Sequence, residues 1–138
     1  MRFVDTNILL YAVSSAADEA RKSAIARRLL ESVDLALSVQ VLQEFYMQAT
    51  RAGKTDRLTP DQASLLLEAF LRFPAQPTTV PLMLAAVATA RRHRISYSDA
   101  AIVEAARALG CSVLLSEDLG HGRDLDGVVV ENPFRTTT

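Results

Sequence analysis

The stretch Arg2-Phe3-Val4-Asp5-Thr6-Asn7 decides the fold, because it contains a short apolar strand that ends on a carboxylate. Open α/β sheets bind ligands at the carboxyl ends of their strands, so Asp5 predicts an anion at that edge. Asp99 and Asp118 repeat the pattern, since each comes just past a predicted strand or in the first turn of a predicted helix. Alone, each acid is also explained as a helix cap or as a partner of the helix dipole. Their like positions together predict one acidic pocket.

Amphipathic helices are predicted wherever apolar residues recur at positions i, i+3, i+4 and i+7. The pattern covers residues 26–33, 42–49, 66–73, 83–90 and 102–109. The run Thr59-Pro60-Asp61-Gln62 supplies the third helix with an N-cap, a proline at its first position and a capping-box glutamine.

Short β-type runs lie between these helices. They cover residues 3–5, 35–38, 113–116 and 128–131, with a weaker run at 77–80. Prolines around the weaker run place it at a sheet edge, because proline cannot donate a hydrogen bond to a neighbouring strand. Strands that alternate with helices predict a parallel sheet covered by helices on both faces.

Length and composition predict one ordinary globular domain, 1–138, with a frayed tail at 135–138. The chain is 49% hydrophobic and 22% charged, and its formal net charge of −1 gives no overall bias towards nucleic acid or membrane. A single cysteine, Cys111, excludes an internal disulfide and fits a reducing compartment. The apolar runs are too short to span a bilayer, so we expect a cytoplasmic protein that does not interact with membranes.

Glu44 adds a fourth carboxylate, from the flank of the apolar stripe of helix 42–49. An exposed, solvated Glu44 is the alternative. Several acids in one cleft repel one another at neutral pH unless a cation or raised pKa values relieve the charge. Oxygen ligands without His or Cys favour Mg²⁺ or Mn²⁺ over zinc. Because Mg²⁺ typically joins one or two carboxylates to substrate phosphates, the set predicts hydrolysis of a phosphodiester by metal-activated water.

Small polar residues surround these acids. Thr6, Asn7 and Ser116 either hold the carboxylates in ligating rotamers or act only as caps and turns. The run Arg91-Arg92-His93-Arg94 complements a helix dipole, and it also suits a nucleic-acid backbone. His121 lies between two glycines and is predicted to be an exposed turn residue outside the catalytic set.

Five segments in order resemble the PIN-domain ribonucleases of the VapC toxin type, over essentially the whole chain. They are Asp-Thr-Asn at 5–7, Glu44, Ser-Tyr-Ser-Asp-Ala at 96–100, Leu-Leu-Ser-Glu-Asp-Leu at 114–119 and Asn-Pro-Phe at 132–134. The resemblance implies a three-layer α/β/α fold with a central parallel sheet of about five strands. It also implies an endoribonuclease that depends on Mg²⁺ or Mn²⁺.

The same resemblance assigns roles to individual residues. It makes four residues the catalytic and metal-binding acids, namely Asp5, Glu44, Asp99 and Asp118. It puts Thr6, Asn7 and Ser116 at the supporting polar positions. Patterns in the family often carry a further acid where this chain has Gly120. Glu117 is then either a substitute for that acid or an exposed side chain.

The resemblance further implies a homodimer and a VapB-like antitoxin as partner. An antitoxin of this kind lays an amphipathic helix in an apolar groove, expected here between helices 18–33 and 40–53. Its basic tail then reaches the acids, because a guanidinium matches carboxylate geometry and is always protonated.

Other functions are separated by single positions or by assay. A haloacid-dehalogenase-like phosphatase needs a second Asp at position 7, which is Asn, and a receiver domain needs a late lysine, whereas none follows Lys54. A metal-dependent DNA nuclease stays open, because the same chemistry needs no 2′-hydroxyl. A non-catalytic, metal-stabilised RNA-binding module also stays open, because it would keep the same carboxylates.

Overall fold

The computed structural model describes residues 1–136, and its strands form one mostly parallel sheet. The strands are β1 Arg2–Val4, β2 Leu35–Ser38, β3 Ala75–Gln76, β4 Val113–Leu115, β5 Asp124–Leu125 and β6 Val128–Glu131. Their order across the sheet is β3-β2-β1-β4-β6-β5. Every pairing is parallel except that of β5 with β6. The predicted α/β fold with a central parallel sheet of about five strands is confirmed, with β5 as a short antiparallel addition.

Helices connect these strands. They are α1 Thr6–Val13, α2 Ala20–Leu29, α3 Val39–Ala49, α4 Pro60–Phe70, α5 Val80–His93 and α6 Tyr97–Ala108, with a 3₁₀ turn at Ala17–Glu19. The connections through α1 to α4 run from β1 towards β3, and the connection through α5 and α6 returns from β3 to β4. Since such crossovers are right-handed, opposite directions place the two helix groups on opposite faces of the sheet. The result is the predicted three-layer arrangement.

The weak strand predicted at 77–80 is misplaced. The edge strand is β3, Ala75–Gln76, which pairs with β2. Beyond it Pro77 has no N–H to donate, and the Thr79 side chain accepts a hydrogen bond from the Leu82 N–H, which caps α5. The predicted edge position is correct, but helix capping claims the residues after Gln76.

Two helices end earlier than the sequence predicts. Helix α2 ends at Leu29, and Val33 is 96% exposed. The chain must turn there, because the Asp34 carbonyl accepts a hydrogen bond from the Arg2 N–H at 2.8 Å. Helix α4 ends at Phe70, although Phe73 still joins the core after a turn. Phe73 continues the apolar periodicity of α4 because it reaches the core from a turn, whereas Val33 continues the periodicity of α2 in sequence only.

The capping signals predicted at the start of α4 are confirmed. The Thr59 hydroxyl accepts from the Gln62 N–H while the Gln62 side chain accepts from the Thr59 N–H, which completes the predicted capping box of α4. Cys111 is buried, as expected for a small apolar side chain. Along residues 1–136 no helix has the length and apolar character needed to cross a membrane. In the predicted tail, Arg135 and Thr136 are exposed, and residues 137–138 lie outside the described residues.

Of the two helices expected to line an apolar groove, 18–33 and 40–53, the second lines the apolar cavity described below. Helix α1 packs against both α2 and α3 and occupies the space between them. An apolar cavity of about 570 Å³ lies instead between α3 and α4. Its walls are Leu42, Gln43, Tyr46, Met47 and Leu67.

Candidate active site

The predicted acids lie at the carboxyl edge of the sheet, on or after its central strands. Asp5 follows β1 and caps α1, while Asp118 follows β4, the parallel neighbour of β1. Glu44 lies on α3, which begins directly after β2 on the other side of β1. Asp99 is in the first turn of α6, whose N-cap is Ser96. Adjacent parallel strands therefore deliver Asp5 and Asp118 to one edge, and Glu44 and Asp99 reach the same edge from helices α3 and α6.

Asp5 is the buried centre of this set, with only 5% of its surface exposed. One of its oxygens accepts from the Thr6 N–H at 2.6 Å, and the other accepts from the Ser116 hydroxyl at 2.7 Å. Burial raises the pKa of Asp5 to about 6, against the lowering effect of these two hydrogen bonds. The charges of Asp118 and Asp99 raise the pKa further, so the three acids share one electrostatic environment.

The three supporting polar residues each contact an acid. The Thr6 hydroxyl lies 3.3 Å from Glu44 Oε2, and Asn7 Nδ2 donates to Asp118 Oδ2 at 3.0 Å. Ser116 bridges two acids, because its hydroxyl donates to Asp5 and accepts from the Asp118 N–H at 3.2 Å. The bonds from Thr6, Asn7 and the Ser116 hydroxyl reach carboxylate oxygens distant in sequence, which ordinary caps do not do, and this favours the orienting interpretation over caps alone.

Gln40 joins Glu44 to the helix that carries Asp99. Its amide nitrogen lies 3.3 Å from Glu44 Oε1 and donates to the Ser98 carbonyl at 3.1 Å. Glu44 is half-buried, so the solvated alternative is not what the structure shows. Gln40 is a residue that the sequence analysis missed, although it precedes Glu44 by one helical turn.

The donor set fits a hard cation with few protein ligands. Asn7 Oδ1 is buried without a hydrogen-bond partner, and such an acceptor is costly unless a cation or a water satisfies it. Within residues 1–136, no three Asp, Glu, His or Cys side chains are arranged to hold one metal ion. A closed protein cage is therefore not formed. Mg²⁺ typically needs only one or two protein carboxylates beside waters and substrate phosphates.

Glu117 is neither exposed nor directed at the four acids. One of its oxygens accepts from the Tyr11 hydroxyl at 2.7 Å, and the other forms an ion pair with Lys22. Burial raises the pKa of Glu117, but the bonds from Lys22 and Tyr11 outweigh burial and lower it. Tyr11 follows Asn7 by four residues, so one face of α1 contacts both Glu117 and Asp118. The spacing was visible in the sequence, but the partner of Tyr11 was not.

His121, Gly120 and the basic run at 91–94 lie outside this hydrogen-bond network. His121 is an exposed turn residue whose Nδ1 accepts from the Asn132 N–H at 3.1 Å, as predicted. Gly120 has a φ of 90°, a conformation that glycine adopts without strain. Arg92 is 3.5 Å from Asp126, and Arg94 ends α5 in the left-handed conformation.

Comparison with known proteins points to one family and one fold. A sequence model described as PIN domain matches residues 2–123. A toxin-antitoxin complex from Klebsiella pneumoniae contains a chain with 20% identity and a TM-score of 0.70, over 96% of this chain and 98% of that one. VapC20 of Mycobacterium tuberculosis, described as a sarcin-ricin loop cleaving toxin, has 23% identity and a TM-score of 0.67, over 86% and 91%.

A third solved structure, VapBC2 from Rickettsia felis bound to a promoter DNA fragment, has 18% identity and a TM-score of 0.64, over 95% and 97%. At these identities the likeness establishes the fold. No curated protein matches the chain by sequence.

Proposed function

The chain belongs to the PIN domain family, and from that premise we propose that it is a metal-dependent endoribonuclease, the toxin of a type II toxin-antitoxin pair. The observation that carries the proposal is the buried, hydrogen-bonded Asp5 at the centre of an acidic sheet edge. A carboxylate whose pKa is raised by burial and by neighbouring charge, in a polar cleft, is typical of a functional site.

Mg²⁺ or Mn²⁺ would bind through one or two carboxylates at a time, with waters and substrate phosphates, and the candidate acids are Asp5, Glu44, Asp99 and Asp118. When bound, the ion would activate a water for attack and neutralise charge on the phosphodiester. The chain's own contribution is orientation. The Ser116 hydroxyl binds the Asp5 carboxylate and the Asp118 backbone N–H. Asn7 donates to Asp118 Oδ2, and the Thr6 hydroxyl contacts Glu44. Fixed carboxylates spare the reaction the reorganisation that free side chains would need.

RNA is the proposed substrate because VapC20, which shares the fold, is described as cleaving the sarcin-ricin loop. The experiment incubates the full chain with labelled single-stranded RNA and with DNA of matching sequence, in Mg²⁺. Cleavage of RNA is expected, and Asp5→Asn should abolish it. Asp61→Asn is the matched control, because Asp61 is an exposed acid on α4. DNA cleavage alone would indicate the DNA nuclease, and binding without cleavage would indicate the non-catalytic module.

The proposed partner is a VapB-like antitoxin, since several solved structures with this fold are toxin-antitoxin complexes. Its amphipathic helix would occupy the cavity between α3 and α4, where apolar Leu42, Met47 and Leu67 line the wall. Expression of the chain alone should slow growth, and co-expression with the neighbouring gene should restore it. Unimpaired growth with the chain alone would contradict the toxin proposal but not the nuclease proposal.

The proposed homodimer forms through α5. Val80, Met83, Leu84 and Val87 recur at helical spacing on one face, and each is at least 40% exposed. Large apolar side chains at this spacing form a continuous stripe that a second copy would cover. Light scattering at micromolar concentration tests the proposal, and a monomer would contradict it.

A further inference from the structure

A cleft of about 270 Å³ opens beside Glu44, between α3 and the first turn of α6. Its walls mix amide, acidic, apolar and aromatic groups, from Gln40, Gln43, Glu44, Met47, Thr78, Tyr97, Ser98 and Ala101. Glu44 belongs both to this cleft and to the acidic edge. A group bound in the cleft would therefore lie directly next to the acids.

Tyr97 is the most exposed aromatic feature of this wall. It is the first residue of α6, and 43% of it is exposed. Tyr11, in contrast, packs edge-on against Phe134 at 5.0 Å and donates to Glu117. Among residues 1–136, no aromatic ring or cation packs on the Tyr97 ring. Its exposed part borders the cleft, where a flat ligand can reach it.

We propose that this cleft binds one base of a single-stranded RNA, stacked on Tyr97, next to the phosphodiester at the acids. The inference rests on the proposed ribonuclease function and adds a base-binding subsite to it. Single-stranded RNA is recognised by stacking of splayed bases on aromatic side chains and by hydrogen bonds to base edges. The Gln43 side chain, exposed on the cleft wall, offers both a donor and an acceptor for such an edge.

The charges around the cleft favour RNA over a second copy of the chain. Arg91 and Arg94 precede α6, both are exposed, and within the described part of the chain neither forms an ion pair. Guanidinium groups without an ion pair, on the segment that leads into α6, suit a phosphate backbone. A protein interface would bury the Glu44 carboxylate and the cleft amides at a desolvation cost.

The test measures RNA binding without turnover. The full chain carrying Asp5→Asn is titrated in Mg²⁺ against a fluorescein-labelled single-stranded RNA of mixed sequence, and anisotropy gives Kd. Adding Tyr97→Ala should weaken binding about 5- to 150-fold, the range for loss of one base–aromatic stack. Tyr97→Phe should keep the affinity. Leu65→Ala is the control, because Leu65 is a 69% exposed apolar residue on α4, and it should bind like the parent.

Two further readouts distinguish stacking from a structural role. The chain has three tyrosines and no tryptophan, so stacking should quench tyrosine emission, and Tyr97→Phe should remove that quenching while binding persists. A series of RNAs carries a single abasic nucleotide at successive positions along the strand. At one position, removal of the base should weaken binding to the parent protein. The same removal should not weaken binding to Tyr97→Ala any further. This non-additivity identifies the stacked base.

The proposal is overturned if Tyr97→Ala binds like Leu65→Ala, or if no abasic position shows non-additivity. It is also overturned if Tyr97→Ala only converts a dimer to a monomer with unchanged RNA affinity. If the unmutated chain cleaves RNA in Mg²⁺ while these results occur, only the base-binding subsite fails. If the unmutated chain neither binds nor cleaves RNA, the proposed function fails with it.

Discussion

Replacing Asp5 by Asn should abolish cleavage and at the same time stabilise the fold at neutral pH. The buried Asp5 carboxyl has a pKa of about 6, against an ordinary value of 3.8. A difference of about two units corresponds to about 3 kcal/mol, because each unit is 1.36 kcal/mol. Asn carries no charge and escapes this cost. The pKa of about 6 already includes the hydrogen bonds to the charged carboxylate. What Asn loses in addition is one neutral hydrogen bond to Ser116, about 1 kcal/mol, so the net gain is about 2 kcal/mol.

The sign of the pH dependence follows from the raised pKa of Asp5. Below about pH 3.8 the carboxyl is protonated in both the folded and the unfolded chain, and the cost is absent. As pH rises towards about 6, the unfolded chain releases the proton while the folded chain retains it, so stability falls. Above that range both states are ionised and the full cost remains. The advantage of Asp5→Asn should therefore grow between about pH 4 and 6 and then level off.

Urea unfolding of the metal-free proteins in EDTA, from pH 4 to 8, measures this difference. At pH 7.5 we expect Asp5→Asn to raise the free energy of unfolding by about 2 kcal/mol, which corresponds to about 7 °C in Tm for a domain of this size. Asp61→Asn removes an equal but exposed charge and should change little. Mg²⁺ should stabilise the unmutated protein more than Asp5→Asn. A stability difference that is constant across pH, or a less stable Asp5→Asn at pH 7.5, would refute the reasoning.

Cleavage should appear with Mg²⁺ or Mn²⁺ and vanish in EDTA. It should weaken with Ca²⁺, because the looser coordination of Ca²⁺ misplaces the attacking water. Full activity in EDTA would contradict the metal mechanism. Lys22→Met leaves the half-buried Glu117 without its cation and should lower the free energy of unfolding by about 1 kcal/mol, whereas the exposed Arg28→Met should not. Leu84→Lys puts a charge on the α5 stripe and should give a monomer by light scattering, while Leu65→Lys on α4 should leave the mass unchanged.

The sequence predicted the acids because their placement depends on local signals. A strand that ends at Val4 and a serine cap at Ser96 each place a carboxylate at the sheet edge without reference to distant residues. The partners of those acids are distant. Ser116 lies 111 positions from Asp5, and their hydrogen bond exists only because β4 pairs with β1. Ser116 was nevertheless anticipated, because it follows β4 as Asp5 follows β1.

Residues joined only by tertiary packing were beyond local patterns. Lys22 and Glu117 are 95 positions apart, and nothing in either neighbourhood indicates their ion pair. Strand β5 has only two residues and forms against β6, so it shows no periodicity of its own. The contribution of Leu67 on α4 to the apolar cavity was not predicted for a related reason, since the pairing of α3 with α4 is tertiary packing.

The unfavourable features of this molecule concentrate at the acidic edge. Asp5 is ionised at neutral pH in a site that resists its charge, and Asn7 Oδ1 is buried without a partner a short distance along α1. The rest of the described chain satisfies its buried side-chain polar atoms, as Ser116 and Thr6 illustrate. A cation and a phosphate bound at this edge would relieve both costs together. That coincidence is the physical reason to expect one substitution, Asp5→Asn, to remove activity and add stability.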